Sequence, residues 1–139
     1  MDLTIVLVNY KCDKVKLQSC LNSIKIQANV LLVDHSHDFN FDEIERPENL
    51  NISILKNINR GNGAGINFGL KNSKTRYVLY LDIDTVLPSN FFKVINNSFE
   101  KIDNFAVIAP RVNKIYDEYT LNNTGNLIKA QFLYNKIFY

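Results

Sequence analysis

Cysteine and histidine are scarce in this chain, and neither is spaced for metal or redox chemistry. The two cysteines, Cys12 and Cys20, stand eight residues apart on a predicted helix, which fits neither a zinc ligand pair nor a C-x-x-C motif. They read as buried or idle thiols in a reducing, cytoplasmic compartment. The two histidines, His35 and His37, bracket Ser36 between Asp34 and Asp38, a spacing that suits a solvated loop. No further Cys or His group stands elsewhere to complete a zinc site. Charge of one sign is lacking as well: 16 Lys and Arg oppose 14 Asp and Glu, for a formal net charge of +2. The absence of a dense basic stripe argues against nucleic acid as a partner. Long apolar runs are missing too, since Leu3 to Val8 is cut off by Asn9 and Lys11, far short of a membrane span or a signal peptide. There is no internal repeat, linker or low-complexity tract.

What is present is enough for one core. With 46% hydrophobic and 12% aromatic residues, the 139 residues read as a single globular domain. Leu3 to Val8, Val30 to Val33, Ile52 to Leu55, Tyr77 to Leu81 and Phe105 to Ala109 are β-rich runs of the kind buried on both faces of a parallel sheet. Between them lie helical patterns. Val15, Leu17, Leu21 and Ile24 recur at helical intervals behind Asp13 as N-cap, and Phe91, Phe92, Ile95 and Phe99 form an apolar face behind Pro88 and Ser89. A glycine segment, Gly61 to Gly69, begins as a loop and turns helical toward Leu70; His35 to Asn49 is polar and reads as loop or frayed helix. Strands alternating with helices predict an α/β fold, a three-layer α/β/α sandwich around a mostly parallel twisted sheet. Beyond Pro110 the signal weakens, and short segments between Asn113 and Gly125 are compatible with a hairpin.

Chemistry concentrates at the predicted carboxyl ends of the strands. Tyr77 to Leu81 runs directly into Asp82-Ile83-Asp84, and if the extended conformation persists, both carboxylates face the same way and need a cation or solvent. Asp34 ends the second strand, and Asn9 and Tyr10 end the first. In a parallel sheet all of these reach one edge, the edge at which open α/β sheets bind ligands. Asn9 and Asp34 then offer a donor and an acceptor to a nucleobase, and Tyr10 an aromatic face. The glycine segment matches no nucleotide fingerprint: Ile66 or Phe68 stands where a G-x-G-x-x-G would need glycine, and no Gly-Lys-Ser/Thr occurs. What remains is an amide-rich turn into a helix N-terminus, suited to an anion, to a close-packed ligand, or simply to tight packing.

Taken together, LTIVLVNY (3–10), VLLVDHS (30–36), NRGNGAGINFG (59–69) and YVLYLDIDTVLP (77–88) resemble, in order and spacing, the donor-binding half of family 2 glycosyltransferases of the GT-A fold. The VNY start is most similar to rhamnosyltransferase-like members. The resemblance implies that Val8, Asn9, Tyr10 and Asp34 line a nucleobase pocket. It further implies that Asn59, Gly61 and Asn67 belong to the donor site, that Asp82 hydrogen-bonds the nucleoside, and that Asp84, with Asp82 beside it, holds Mg²⁺ or Mn²⁺ on a nucleoside diphosphate sugar. Magnesium or manganese held by one or two carboxylates keeps its other positions for phosphate oxygens and water, which fits that division of labour. The implied reaction is an inverting, metal-dependent transfer of a sugar to the hydroxyl of a glycan or lipid-linked acceptor. Polysaccharide biosynthesis at the inner face of the membrane would be its setting. Residues 1–139 then form a nucleotide-sugar-binding GT-A domain without the acceptor-binding part, and the catalytic base is not identified. Asp117 and Glu118 fall in the loop-rich span after the fifth strand and are not assigned that role.

Three other readings share these residues. A haloacid-dehalogenase-type phosphatase would use Asp82 as nucleophile and Asp84 as acid and base, but needs a downstream lysine and acidic pair in a longer core. A receiver module would need paired acids where Asn9 and Tyr10 stand. A nucleotide-sugar-binding fragment without turnover shares the whole donor site. The apolar ends Phe132 to Tyr134 and Ile137 to Tyr139 suggest a surface for a second copy, a homo-oligomer through the C-terminus.

Overall fold

The computed structural model describes residues 2–36, 38–101, 106–109 and 133–135. Its elements run β1 (Leu3–Asn9), α1 (Lys14–Ser23), β2 (Ala28–Asp34), β3 (Leu50–Lys56), α2 (Asn62–Asn72), β4 (Tyr77–Leu81), α3 (Phe91–Lys101), β5 (Val107–Ile108) and β6 (Leu133–Asn135). A single 3₁₀ turn, Phe41–Glu43, interrupts the polar stretch before β3. The sheet has the order β3-β2-β1-β4-β6-β5. Its first four strands are parallel, and β6 runs antiparallel to both β4 and β5.

Burial explains the strands. In β1 every residue but Val8 is buried, which is why the run is apolar without alternation, as a central parallel strand requires. The residues of alternate parity point to two separate cores. Ile5, Leu7, Val30, Leu32, Leu79 and Leu81 pack under α1 and α3, against Leu17, Leu21, Phe91 and Ile95. Val6, Val33, Val78 and Tyr80 pack on the other face, with Ile66, Phe68 and Leu70 of α2 against them. The three-layer α/β/α arrangement expected from the alternation of elements is therefore present.

Each helix has a local cause. Asp13 Oδ1 accepts from the backbone N–H of Val15 at 2.8 Å and of Lys16 at 3.4 Å, closing the first turn of α1. Gly61 takes φ +91°, a conformation that favours glycine, and from it α2 starts at once, at Asn62. The expected loop at the head of this segment is thus shorter than the sequence suggested. Gly65 and Gly69, four residues apart, face the sheet: a Cβ would lie 2.7 Å from Val8 Cγ1 at Gly65 and 2.4 Å from Val6 Cγ1 at Gly69. Two of the glycines therefore let the α2 backbone rest directly on β1.

Two expectations change at strand ends. The chain leaves the extended conformation at Leu81, and the Thr85 N–H donates to Asp82 O at 3.0 Å, so Asp82 and Asp84 sit on a turn rather than on successive same-face positions of a strand. Aspartate is a poor strand former and a good turn former, and the turn avoids stacking like charges along one face. The fifth strand is reduced to Val107–Ile108, with Phe105 outside the described residues. Leu133 and Tyr134, taken as part of an apolar end awaiting a partner, lie within β6 in the interior of the sheet. The hairpin expected beyond Pro110, along with Phe132 and Ile137 to Tyr139, falls outside the described residues. Among the described residues no helix is long and apolar enough to cross a membrane.

Strand order fixes where a ligand can sit. The chain proceeds from β1 outward through β2 to β3, then returns to place β4 on the opposite side of β1. The carboxyl ends of β1 and β4 therefore flank a topological switch point, the crevice that open α/β sheets use for binding.

Candidate functional site

Asn9 and Asp34 end adjacent strands in register and are both fully buried. The Asn9 Nδ2 donates to Asp34 Oδ1 at 2.8 Å and to Ser36 Oγ at 2.9 Å. Ser36 donates to the same Asp34 Oδ1 twice, from its hydroxyl at 2.7 Å and its backbone N–H at 3.1 Å. Asp34 Oδ1 thus has three donors while Asp34 Oδ2, equally buried, has none among the described residues. A buried carboxylate oxygen without a donor is costly, and a ligand N–H or O–H would relieve it. His35 Nε2 is also buried without a described partner, and a Cβ at Gly65 would come within 2.9 Å of the His35 ring. His35 had been assigned to a solvated loop; its burial follows from its place directly after β2, under α2.

On the other side of the switch point stands Asp82, half-buried. Its Oδ1 accepts from the Tyr80 hydroxyl at 2.5 Å, and that hydroxyl accepts from Asn62 Nδ2 at 2.9 Å. Burial, and next the bond to Asp82, push the Tyr80 phenol far above its ordinary value, so it is the donor in this pair. Asp84 is exposed and has no protein donor among the described residues. The loop that carries both aspartates is fixed from below: Leu87 N–H donates to Ser23 Oγ at 3.0 Å at the end of α1.

Between these groups lies a cleft of about 410 Å³ lined by Val8, Lys11, Cys12, Asp13, Lys16, Asp82, Ile83 and Asp84. The backbone of Lys11 is held at φ +51°, unusual for a residue other than glycine. That turn is tied to the buried pair through Cys12 N–H, which donates to Asn9 Oδ1 at 3.2 Å. Burial, ahead of the nearby Asp13 and Asp34 charges, raises the Cys12 thiol to about 11. Cys20, beneath the aspartate loop, is raised to about 12, again by burial first and Asp84 next. Both thiols are unpaired and neutral at ordinary pH, in keeping with idle cysteines.

The structure brings together Val8, Asp82 and Asp84 in the cleft; Asn9 and Asp34 are buried beside it, at the paired ends of β1 and β2, and do not line it. Tyr10 is 53% exposed at the rim, with Lys11 Nζ 5.5 Å from its ring centroid. Asn59 accepts from the Gly61 N–H at 3.0 Å, so Asn59 and Gly61 shape the entry to α2. Asn67 is exposed on α2 and does not line the cleft. Lys11 and Lys16, the cations of the cleft, were not singled out from the sequence, nor was Tyr80. Strand alternation could have found Tyr80, since it precedes Asp82 by two positions and leans to the same side. Among the described residues no group of three or more His, Cys, Asp or Glu is assembled to hold a metal. The carboxylates that line the cleft are Asp82 and Asp84, on one turn, and Asp13, whose Oδ1 caps α1. That donor set suits a hard cation that completes its shell with phosphate oxygens and water, and does not suit zinc.

Comparison with known proteins agrees with this fold. The model of the family described as glycosyl transferase family 2 matches residues 4–138. No curated protein matches the chain. Among solved structures, S. aureus TarS (residues 1–349) is similar at a TM-score of 0.66 and 18% identity, covering 97% of this chain and 47% of TarS. The same protein in complex with UDP-GlcNAc gives 0.60 and 20%, with 97% and 45% covered. The mannosyltransferase PcManGT from Pyrobaculum calidifontis, in complex with GDP-Man and Mn²⁺, gives 0.63 and 19%, with 81% and 36% covered. The chain spans about half the length of the TarS structures it matches. With matched residues running from the first strand to the end of the sheet, this chain belongs to glycosyl transferase family 2.

Proposed function

We propose that this chain binds a nucleoside diphosphate sugar across the β1/β4 switch point and serves as the donor half of an inverting glycosyl transfer to an acceptor hydroxyl. The observation that carries the reading is Asp34 Oδ2, a fully buried acceptor whose sister oxygen is saturated by three donors. A nucleobase N–H is the donor that such an oxygen lacks, and the Tyr10 ring stands at the rim to cover the base. Asp82 accepts from the nucleoside. Lys11 and Lys16 line the same cleft and oppose the charge of the diphosphate. The structural neighbours bound to UDP-GlcNAc and to GDP-Man with Mn²⁺ support a donor of this class.

A divalent cation, Mg²⁺ or Mn²⁺, fits Asp84, whose carboxylate is exposed in the cleft and has no described protein donor, with Asp82 beside it. When bound, such a cation would supply charge neutralisation on the diphosphate leaving group. The chain's own residues do the rest of the donor chemistry. Asp34 and Asn9 fix the base, and the pinned aspartate loop holds the carboxylates against the diphosphate. A glycan or lipid-linked hydroxyl is the acceptor we assign, in polysaccharide synthesis at the cytoplasmic side of a membrane. The carboxylate base for that hydroxyl is not assigned, and Asp117 and Glu118 lie outside the described residues. Family membership over residues 4–138 goes against the phosphatase alternative.

A thermal-shift panel tests this reading: UDP, GDP and dTDP and their sugars, each with and without Mn²⁺. A specific ligand at a hundred times its Kd stabilises the fold by about 2.7 kcal/mol, several degrees for a domain of this size. One diphosphate should raise the melting temperature, more with Mn²⁺ than without. No shift with any member of the panel would overturn the assignment.

A further inference from the structure

The glycine segment, Asn59 to Gly69, matches no phosphate-binding fingerprint, yet its first helical residue reaches the aspartate loop. Gly61, at φ +91° and with its N–H held by Asn59 Oδ1, turns the chain so that α2 opens on Asn62. Asn62 Nδ2 donates to the Tyr80 hydroxyl, and that hydroxyl donates to Asp82 Oδ1. The start of α2, eighteen residues upstream of Tyr80, is thus joined to the end of β4 and the aspartate turn in one line of hydrogen bonds. The Tyr80 ring is buried in the core between β4 and α2, so its hydroxyl is a rigid fixture, whereas Asp82 sits on a turn. Tyr80 is the one described donor to the Asp82 carboxylate. The bond occupies Oδ1 and restrains the carboxylate of Asp82, a residue that lines the cleft, while Oδ2 has no donor among the described residues.

We propose that Asn62 and Tyr80 are positioning residues that orient the Asp82 carboxylate, so that it offers one fixed oxygen to the ribose hydroxyls of the bound nucleotide. The inference rests on the donor-site reading above. The carboxylate is the chemical match for a sugar hydroxyl, since an ionised acceptor strengthens the bond and cannot compete as a donor. Asn62 adds direction: by donating to the phenol oxygen, it leaves the phenol proton free to point only at Asp82. The same arrangement gives the glycine segment a role in binding without any contact to phosphate.

The test compares the whole chain as wild type, Tyr80→Phe, Asn62→Ala and the double variant, by calorimetric titration in Mg²⁺. The probes are UDP, GDP and dTDP, each beside its analogue lacking the sugar hydroxyls. Wild type should prefer the hydroxyl-bearing form by about tenfold, the value of one hydrogen bond to a charged group. Tyr80→Phe should cut that preference to about threefold or less while leaving the affinity for the analogue unchanged. Asn62→Ala removes one donor to the Tyr80 hydroxyl but leaves that hydroxyl bonded to Asp82, so it should cut the preference less, and the double variant no further than Tyr80→Phe. Full preference retained in Tyr80→Phe would overturn the positioning role alone. Equal weakening toward both probe forms would overturn it too, by showing a general structural role. A wild type that binds none of the diphosphates would instead overturn the donor-site reading, and the relay with it.

Discussion

Asn9 and Asp34 face each other across β1 and β2, and the Asn9 amide donates to Asp34 Oδ1 at 2.8 Å with both side chains fully buried. Together with Ser36 this saturates one carboxylate oxygen and leaves the other empty-handed. Asp34→Asn separates what the pair does for the fold from what it does for a ligand. The three donors at Oδ1 require an acceptor, so the new amide must put its oxygen there and its NH₂ in the place of Oδ2. Stability should change by no more than about 1 kcal/mol, because the internal bonds survive and a buried charge is removed. Nucleoside diphosphate affinity should fall at least about tenfold, since a base N–H would then meet a donor. Affinity for inorganic pyrophosphate should hold, and an equal loss there would contradict the base-binding role.

Asp84 differs from Asp34 in being exposed and free of described donors. Asp84→Ala should therefore leave the urea midpoint within about 0.5 kcal/mol of wild type. Its effect belongs to the cation: the gain in nucleotide affinity that Mn²⁺ gives wild type should drop at least about tenfold, as happens when even the outer-shell partner of a metal ligand is removed. In EDTA the two proteins should bind alike. Equal affinity with and without metal in wild type would remove the cation from Asp84.

Two glycines of the same helix make a matched pair for the packing of α2. At Gly69 a Cβ would lie 2.4 Å from Cγ1 of Val6, a fully buried β-branched side chain with no room to yield, so Gly69→Ala should destabilise the fold by about 1–3 kcal/mol. At Gly63 nothing lies within 4 Å, and Gly63→Ala should stabilise by about 0.5–1 kcal/mol through helix propensity. Chemical unfolding of both variants measures the difference. Similar effects of the two substitutions would mean that α2 does not rest on β1 as closely as the structure has it.

The frame of the fold was legible because burial on both faces leaves no freedom in composition. Leu3 to Val8 and Tyr77 to Leu81 are β-rich, short and apolar throughout, which reads as central strands, and their polar ends mark the edge at which the cleft lies. Asp13 announced α1 by its side-chain cap. What was misread was the path of the chain after Leu81: the strand was extended through Asp82-Ile83-Asp84, although two aspartates favour the turn that the Thr85 N–H closes on Asp82 O. The burial of His35 was hidden for a different reason: it depends on α2 crossing above it, a contact made possible by Gly65, thirty residues away. Lys11 and Lys16 were missed because a lysine on a surface looks the same whether or not a cleft lies beneath it. In the site, the polar residues that end or follow the strands were visible, whereas Tyr80, inside β4, was hidden as one more apolar strand residue.

Cys12 supplies a probe of the cleft that needs no assumption about turnover. Burial, with Asp13 and Asp34 nearby, disfavours the thiolate and lifts the thiol from 9.0 to about 11. Because the thiolate is the nucleophile, the rate of alkylation follows its fraction. At pH 9 an unshifted thiol would be half ionised and Cys12 only about 1% ionised, so iodoacetamide should label it about fiftyfold more slowly than a free cysteine peptide. Raising the pH should accelerate labelling toward a midpoint near 11. Cys20 should lag behind at every pH, being fully buried and raised further, to about 12. Cys12 also lines the cleft, so a bound nucleoside diphosphate should slow its labelling further while leaving the Cys20 rate unchanged. Peptide mapping of the labelled chain distinguishes the two thiols, and a Cys12 rate indifferent to the nucleotide would place the ligand elsewhere.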